Sequence, residues 1–404
     1  MGIGETATAE TTIIGAGSET AALERAPLAL YVHVPWCIAK CPYCDFNSHA
    51  LRGALPAAAY LAAVLADLDL ELERRPTATP VISVFLGGGT PSLLAPETIS
   101  RLLAGIRARL PLAADAEVTI EANPGTIERG RFAEYAAVGI NRVSLGVQSF
   151  DDAMLKRLGR IHSAREAVAA AEELHRADLA NFNLDLMYAL PDQDSTGALA
   201  DVEQAIALSP AHISYYELTL EVGTAFHRRP PRLPPEPEAA RIETIGHDRL
   251  AAGGYFRYEI SAFARPTRRC RHNDNYWRYG DYIGLGPGAH GKRCCGATIV
   301  RTVRTVSPNG YLREAGTAAA IKSERFVLPA ERTFEFLLGA LRRVEGFAWV
   351  EFEARTGLDR AVLAAELEQG VAVGELIKQD AHGARATARG LDCLNEVLTR
   401  FLPA

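Results

Sequence analysis

Three cysteines within eight residues, Cys37, Cys41 and Cys44 in Trp-Cys-Ile-Ala-Lys-Cys-Pro-Tyr-Cys-Asp-Phe, are the side chains here whose type and spacing most directly imply chemistry. Three thiolates on one short loop can hold three corners of a [4Fe-4S] cube, whereas a cluster built only for electron transfer normally takes four cysteines and closes every iron. The remaining iron is then open. The amine and carboxylate of S-adenosylmethionine (SAM) can chelate such an iron and bring the sulfonium to the cluster, the arrangement that reductive cleavage and radical chemistry require. Two plainer readings compete. Structural zinc wants a second Cys or His pair at knuckle spacing, and nothing near Cys44 supplies one. Inert buried thiols would sit in an apolar segment, whereas Lys40, Pro42 and Asp45 make this loop polar.

The remaining cysteines, Cys270, Cys294, Cys295 and Cys393, have no ligand spacing among themselves, and the adjacent pair Cys294-Cys295 is an oxidation liability. A chain of 404 residues, 48% hydrophobic, can bury one domain of barrel size and a smaller one. A formal net charge of -6 gives no support to a nucleic-acid binder, whose surface is normally basic. There is no apolar run long enough to span a bilayer, and the first residues lack a basic stretch followed by an apolar one. The expectation is a cytoplasmic protein, not integral to a membrane, in a reducing compartment where thiols bind metal.

Around the triad the chain shows a strand-helix rhythm. Short β-rich runs at Leu28–Pro35, Val81–Gly87, Glu117–Ala122, Arg142–Val147, Asn181–Tyr188 and His212–Leu220 alternate with stretches of helical period at Ala57–Leu70, Pro96–Arg109, Arg131–Val138, Ala164–Arg176 and Gly197–Leu208. Six such repeats predict an α/β fold with parallel strands, an open partial (β/α)6 barrel. A doubly wound open sheet is the fallback. The predicted organisation is a disordered arm over residues 1–27, the barrel core over 28–225, a linker and barrel-closing segment over 226–308, and a small, mainly helical C-terminal domain over 309–404. In that last segment Phe334–Arg342, Trp349–Thr356, Arg360–Gln369, Gly383–Arg389 and a stretch through Leu402 read as helices. The Pro-rich stretch Arg228–Pro237 reads as a rigid surface linker.

The unusual residues fall at predicted strand ends. The cysteine loop follows the first strand, Gly87-Gly88-Gly89-Thr90 the second, Glu121 the third and Gln148 the fourth, while Asp185 lies toward the end of the fifth. Active sites of parallel α/β barrels gather at the C-terminal ends of the strands, so these groups should share one mouth. The glycine run has neither a Walker lysine nor a dinucleotide fingerprint. Its bare backbone could grip the ammonium and carboxylate of a methionine moiety, or be a sharp turn only. Glu121 and Asp185 could accept from ribose hydroxyls or an ammonium, Gln148 can donate and accept, and Arg160 could pair with a carboxylate. Each taken singly is an ordinary solvated or capping residue; together they read as a SAM cradle.

The segments Tyr-Val-His-Val-Pro-Trp-Cys, Phe-Leu-Gly-Gly-Gly-Thr-Pro-Ser, Glu-Ala-Asn-Pro, Ser-Leu-Gly-Val-Gln-Ser-Phe, Leu-Gly-Arg-Ile-His and Asn-Leu-Asp-Leu-Met carry a resemblance to the radical-SAM HemN/HemW family of oxygen-independent coproporphyrinogen III oxidases and haem chaperones. The resemblance runs from about Leu28 to the C-terminus. It implies that Cys37, Cys41 and Cys44 bind the cluster, and that Tyr31, Tyr43, Gly88, Gly89, Thr90, Glu121, Gln148, Arg160 and Asp185 contact SAM. The oxidase branch adds a cysteine two residues after the last ligand, where this chain has Phe46, and carries a longer N-terminal segment than the 36 residues preceding Cys37. Both points favour the chaperone branch.

His272-Asn273-Asp274-Asn275-Tyr276-Trp277, followed by Gly284-Leu285-Gly286-Pro287-Gly288-Ala289-His290-Gly291, resembles the His-Asn-x-x-Tyr-Trp element linked in the chaperone branch to haem. By that resemblance His272, Asn273, Tyr276 and Trp277 contact haem, with His272 the leading axial ligand and His290 the weaker alternative. Tyr279 and Tyr282 could cover a porphyrin face and Arg268, Arg269 or Arg271 meet propionates. From the residues alone, His272 could equally cap a turn while the aromatics seal the barrel. The implied function is a haem chaperone that passes haem to an unidentified acceptor protein, such as a membrane respiratory enzyme; the alternative is a coproporphyrinogen III dehydrogenase.

Overall fold

The computed structural model describes residue 23 and residues 26–125, 130–370 and 375–403. The predicted arm over residues 1–27 therefore lies almost wholly outside the described residues. Six runs form a parallel set; four of them are buried along nearly their whole length, as strands covered on both faces must be, while the third is buried only after its first four residues and the sixth only in part. They are β1 (Leu28–Val34), β2 (Val81–Gly88), β3 (Leu112–Ala122), β4 (Arg142–Gln148), β5 (Phe182–Tyr188) and β6 (His212–Glu217). Each pairs in parallel with the next. The helices Ala57–Arg74, Pro96–Arg107, Phe132–Ala137, Ala164–Arg176 and Ser195–Ala207 make the crossovers. Ser163 starts one of them with a capping box to Glu166, and Asp194 caps another.

The sheet continues past both ends of this parallel set. The further strands are β7 (Phe256–Glu259), β8 (Ala262–Ala264), β9 (Asp281–Leu285), β10 (His290–Cys295), β11 (Thr298–Arg304) and β12 (Ile321–Val327). The order across the twelve strands is β12-β11-β10-β9-β1-β2-β3-β4-β5-β6-β8-β7. β9 lies parallel to β1, and the others in the extensions run antiparallel. The sheet thus keeps two edges, β7 and β12, and does not close.

Helix Arg271–Trp277 packs across the sheet near the starting ends of the strands. The Arg271 and His272 amides donate to the Glu117 carboxylate, and His272 shares a hydrogen bond with Ser83. On the outer face, helix Ala57–Arg74 is clipped to the antiparallel extension by a buried ion network. Arg304 Nε lies 2.9 Å from Asp67 and its Nη2 3.1 Å from Glu71, while Tyr311 donates to Asp67.

A second core, built on Phe336, Leu337, Phe347, Phe352, Leu363 and Val397, holds the C-terminal segment. Helices Pro329–Ala340, Trp349–Thr356, Arg360–Gly370, Ala388–Asp392 and Leu394–Thr399 make up most of it. The stretch Gly383–Arg389 does not form the expected helix. Gly383–Ala386 is a strand between Phe347–Ala348 and Ile377–Gln379, since its alternating burial follows a period of two. Strand β12 was hidden in the sequence by its charges, which occupy an exposed edge. Among the described residues, no helix is long and apolar enough to cross a membrane.

Candidate functional site

The cysteine loop leaves β1 at Val34 and is drawn into a compact turn by its own backbone. Trp36–Cys37 pairs with His49–Ala50, the Cys44 amide donates to the Cys41 carbonyl, and Lys40 donates to the carbonyls of Phe46 and Ser48. All three cysteines are free and half-exposed, and all three line one cavity of about 610 Å³. Among the described residues no three His, Cys, Asp or Glu side chains gather closely enough for a single ion. A cube of four irons holds its thiolates further apart than one tetrahedral zinc does. Burial pushes the Cys37 thiol up, with Thr90 opposing through a hydrogen bond. The Arg160 guanidinium reaches the Cys41 sulfur at 3.6 Å and is held there by the Asn123 side chain and the Gly146 carbonyl. Among the described residues its Nε has no hydrogen-bond partner. A free thiol triad facing a cavity beside a fixed cation fits a cluster whose thiolates carry negative charge.

The residues expected to cradle SAM line the same cavity: Tyr31, Tyr43, Gly88, Gly89, Thr90, Glu121, Gln148, Arg160 and Asp185. Gly88 has a φ of +114°, and a Cβ there would sit 2.4 Å from the His33 ring. A Cβ on Gly89 would lie 2.6 Å from the Trp36 carbonyl oxygen. The amides of this run are committed: Gly88 donates to Glu121, Gly89 to Val34 and Thr90 to Trp36. They are not free to hold a ligand carboxylate, so the run acts through close approach. Burial raises the Glu121 carboxyl to about 7, the Gly88 amide opposing and Asp185 adding to the rise. Burial also raises Asp185, against donors from Asn183, Ser214 and Ser144. Gln148 takes a φ of +71° at a register shift that ends β4, and its side-chain oxygen accepts from Tyr216. Strain of that kind in a non-glycine residue persists where the surroundings over-determine it.

Further lining residues were not singled out from the sequence. Arg142 and Ser144 on β4, Asn183 on β5, and His212, Ser214 and Tyr216 on β6 all face the cavity. Their signal was present as polar residues at every second position of otherwise apolar strands, one face of each strand.

The expected haem residues divide. His272, Asn273 and Tyr276 reach the cavity wall. Trp277 does not, because the short helix turns it toward Tyr258, 5.7 Å away between ring centroids. His272 is 1% exposed, stacks on Phe85, and has both ring nitrogens hydrogen-bonded, Nδ1 to Ser83 and Nε2 to Tyr276. Burial, and secondarily Arg142, lowers its pKa to about 3. Tyr279 belongs to the second core. Arg269 and Arg271 are ion-paired with Glu345 and Asp115. A smaller lobe of about 400 Å³ lies beside the main cavity and shares Tyr31, Phe46, Gly88, Glu121 and Tyr276 with it. His33, Asn47, Tyr282, Gly288, Ala289 and His290 complete its wall.

An open parallel sheet whose strand ends carry a three-thiol loop, a close-packed glycine run and inward acids is the framework of a radical-SAM protein. Residues 31–201 match the model of the radical SAM superfamily. The chain is 48% identical over 377 residues to the heme chaperone HemW of Escherichia coli, covering 93% of this chain and 98% of that one. It is 43% identical to the heme chaperone HemW of Haemophilus influenzae at the same coverage, and 36% identical to the bovine mitochondrial radical S-adenosyl methionine domain-containing protein 1, covering 93% of this chain and 87% of the relative. The chain belongs to the HemW family. In fold it is similar to the coproporphyrinogen III oxidase HemN of Escherichia coli, with a TM-score of 0.79 at 24% identity over 95% of this chain and 91% of that one.

Proposed function

We propose that this protein is a haem chaperone: it binds haem and hands it to an acceptor protein, and carries a [4Fe-4S] cluster on Cys37, Cys41 and Cys44 with SAM beside it. The observation that carries the reading is the 48% identity, nearly end to end, with a protein named a heme chaperone. The shape of the site supports it, since a polar cavity under the thiols opens into a lobe walled by Tyr31, Tyr276 and Tyr282. Flat apolar ligands suit such walls. A cytoplasmic location is part of the same proposal.

Bound SAM supplies a reducible sulfonium, the source of methionine and a 5′-deoxyadenosyl radical. The chain's own part is to bind and orient it. Arg160 compensates negative charge at the cluster loop, Glu121 and Asp185 present carboxylates to hydroxyl or ammonium donors, and Gln148 is set by Tyr216 to face the same space. That complete set of inward groups also keeps the second reading alive, oxidative decarboxylation of coproporphyrinogen III.

The two separate on haem binding by the anaerobically reconstituted protein, followed in the Soret region. Saturation at about one haem per chain is the expected result. Weak uptake that never saturates, together with turnover of coproporphyrinogen in the presence of SAM, would replace the chaperone by the dehydrogenase.

A further inference from the structure

The C-terminal segment meets Arg278, at the end of helix Arg271–Trp277, in a groove of about 630 Å³ that shares no residue with the cavity under the cysteine loop. Its wall carries four cations, Arg278, Arg343, Lys378 and Arg385, and three acids, Glu345, Glu351 and Asp380. The acids are already engaged. Glu345 takes Arg269 through both oxygens, at 2.9 and 2.7 Å, Arg343 at 2.6 Å and Arg278 at 3.3 Å. Glu351 takes Arg278 and Arg343, each at 3.1 Å. Asp380 accepts from the His382 and Gly383 amides, and Arg385 acts on it only at longer range.

Lys378 and Arg385 are left over. Among the described residues neither side chain forms a salt bridge or a hydrogen bond. The two stand directly opposite each other, both exposed, in the antiparallel pair of Ile377–Gln379 with Gly383–Ala386. Like charges at opposed positions of a strand pair repel and weaken it, and an anion lying over both relieves that cost. On a chain of net charge -6 this surplus of cations is local. Two features favour an extended polypeptide over a small anion. Gln379 lines the same groove, and its buried side-chain oxygen has no hydrogen-bond partner among the described residues, an acceptor suited to a peptide N-H and not to a bare anion. Ile377–Gln379 is also an edge of the small sheet, where an extended chain can add.

The groove is connected to the site. Arg269 stands two positions before helix Arg271–Trp277 and Arg278 one position after it, so Glu345 clasps both ends of the helix that brings His272, Asn273 and Tyr276 to the cavity wall. The Arg278 side chain is 40% exposed and open to competition from an incoming carboxylate, whereas that of Arg343 is 4% exposed. Resting on the haem-chaperone reading, we infer that this groove docks an acidic, extended segment of the haem acceptor, held by Lys378, Arg385 and Arg278. Engaging Arg278 loosens the Glu345 clasp, and so couples docking to the helix at the cavity wall.

The test uses the full-length reconstituted protein with fluorescein-labelled octaglutamate as the probe, followed by fluorescence anisotropy at low salt. Saturable binding is expected, weakened about tenfold or more in the double variant Lys378→Glu, Arg385→Glu. Arg101→Glu, which reverses an exposed charge on helix Pro96–Arg107, should leave it unchanged. Equal affinity in the wild type and the double variant overturns the assignment. So does displacement of the probe by inorganic phosphate beyond that caused by sodium chloride of equal ionic strength, which would make the groove a small-anion site. Circular dichroism establishes that the variants are folded; should the double variant not fold, Lys378→Gln replaces it, with a smaller loss expected and an unchanged affinity overturning the proposal. In a second arm, haem passes from the loaded protein to excess apomyoglobin. Octaglutamate should speed that loss about fivefold or more in the wild type and not in the double variant; no acceleration in the wild type overturns the coupling. Saturable haem binding without octaglutamate binding sinks the groove alone. Failure of the wild type to take up haem sinks the chaperone reading, and the acceptor as occupant with it.

Discussion

The Asn47 side-chain amide donates to the Pro287 carbonyl at 2.9 Å, across 240 positions of sequence. A second bond from the same amide reaches Val306 at 3.0 Å. Asn47 leaves the cysteine loop only three residues after Cys44, while Pro287 sits in the glycine turn leading to His290. One side chain thus ties the thiol loop to the wall of the side lobe. Asn47→Ala should lower stability by about 1–3 kcal/mol, since it removes these two hydrogen bonds and a third between its side-chain oxygen and His49. Amide exchange should rise in the turn around Gly286–Ala289 more than elsewhere. Unchanged protection there would show that the tie does not hold the turn.

Arg160 provides a fixed cation at the Cys41 sulfur, and a buried cation there offsets charge on a thiolate that binds iron. Cys41→Ser should lose the brown absorbance of a reconstituted cluster altogether. Arg160→Met should assemble less cluster and lose it faster in air, with Arg160→Lys in between because it keeps the charge and loses the fork to Asn123 and Gly146. Iron and sulfide content per chain checks this; equal content in wild type and Arg160→Met would contradict it.

Glu121 has a folded pKa of about 7 against an ordinary 4.5. A carboxyl raised on folding contributes stability that is fully present below 4.5 and is lost as pH rises through about 7. Glu121→Gln should therefore be more stable than the wild type at about pH 8, by about 1–3 kcal/mol, and show little gain at about pH 4. Denaturant midpoints at the two pH values measure this. Affinity for SAM should run the other way, rising through about pH 7 in the wild type as the carboxylate forms and staying low and flat in the variant.

Arg304 is buried against two buried acids, Asp67 and Glu71. Arg304→Met removes the cation from buried Asp67 and leaves Glu71 to Arg75 and Arg293, a loss of about 3–5 kcal/mol in chemical unfolding. A change below about 1 kcal/mol would mean that Arg293 and Arg75, which also approach Glu71, take over its charge.

Much of this protein is written locally in its sequence. Cys37, Cys41 and Cys44 are close in the chain, so one loop suffices to gather them. Continuous apolar runs mark β1 and β2, and an alternation of apolar and polar residues marks β4 to β6, whose polar positions face the cavity. Strand-end chemistry follows from direction alone, which is why Glu121, Gln148 and Asp185 could be placed at one mouth before any coordinates. Where local pattern misled, the cause was context: charged β12 is a strand because β11 offers it an edge, and Gly383–Ala386 is a strand because two neighbours sandwich it.

Only the tertiary structure decided which of the cavity histidines among the described residues have both ring nitrogens hydrogen-bonded. His272 stands in an aromatic stretch and His290 in a glycine turn, and neither setting shows which ring nitrogens are already hydrogen-bonded, because that pairing comes from across long separations. Ser83, 189 positions away, takes His272 Nδ1, whereas among the described residues the His290 ring faces Arg301 and Lys322 without a hydrogen bond to either. The commitment of the glycine-run amides to Val34, Trp36 and Glu121 is invisible for the same reason. Hydrogen-bond satisfaction is a property of the packed neighbourhood. A chain read residue by residue shows what each group can donate or accept, and the fold determines which of those capacities remain for a ligand.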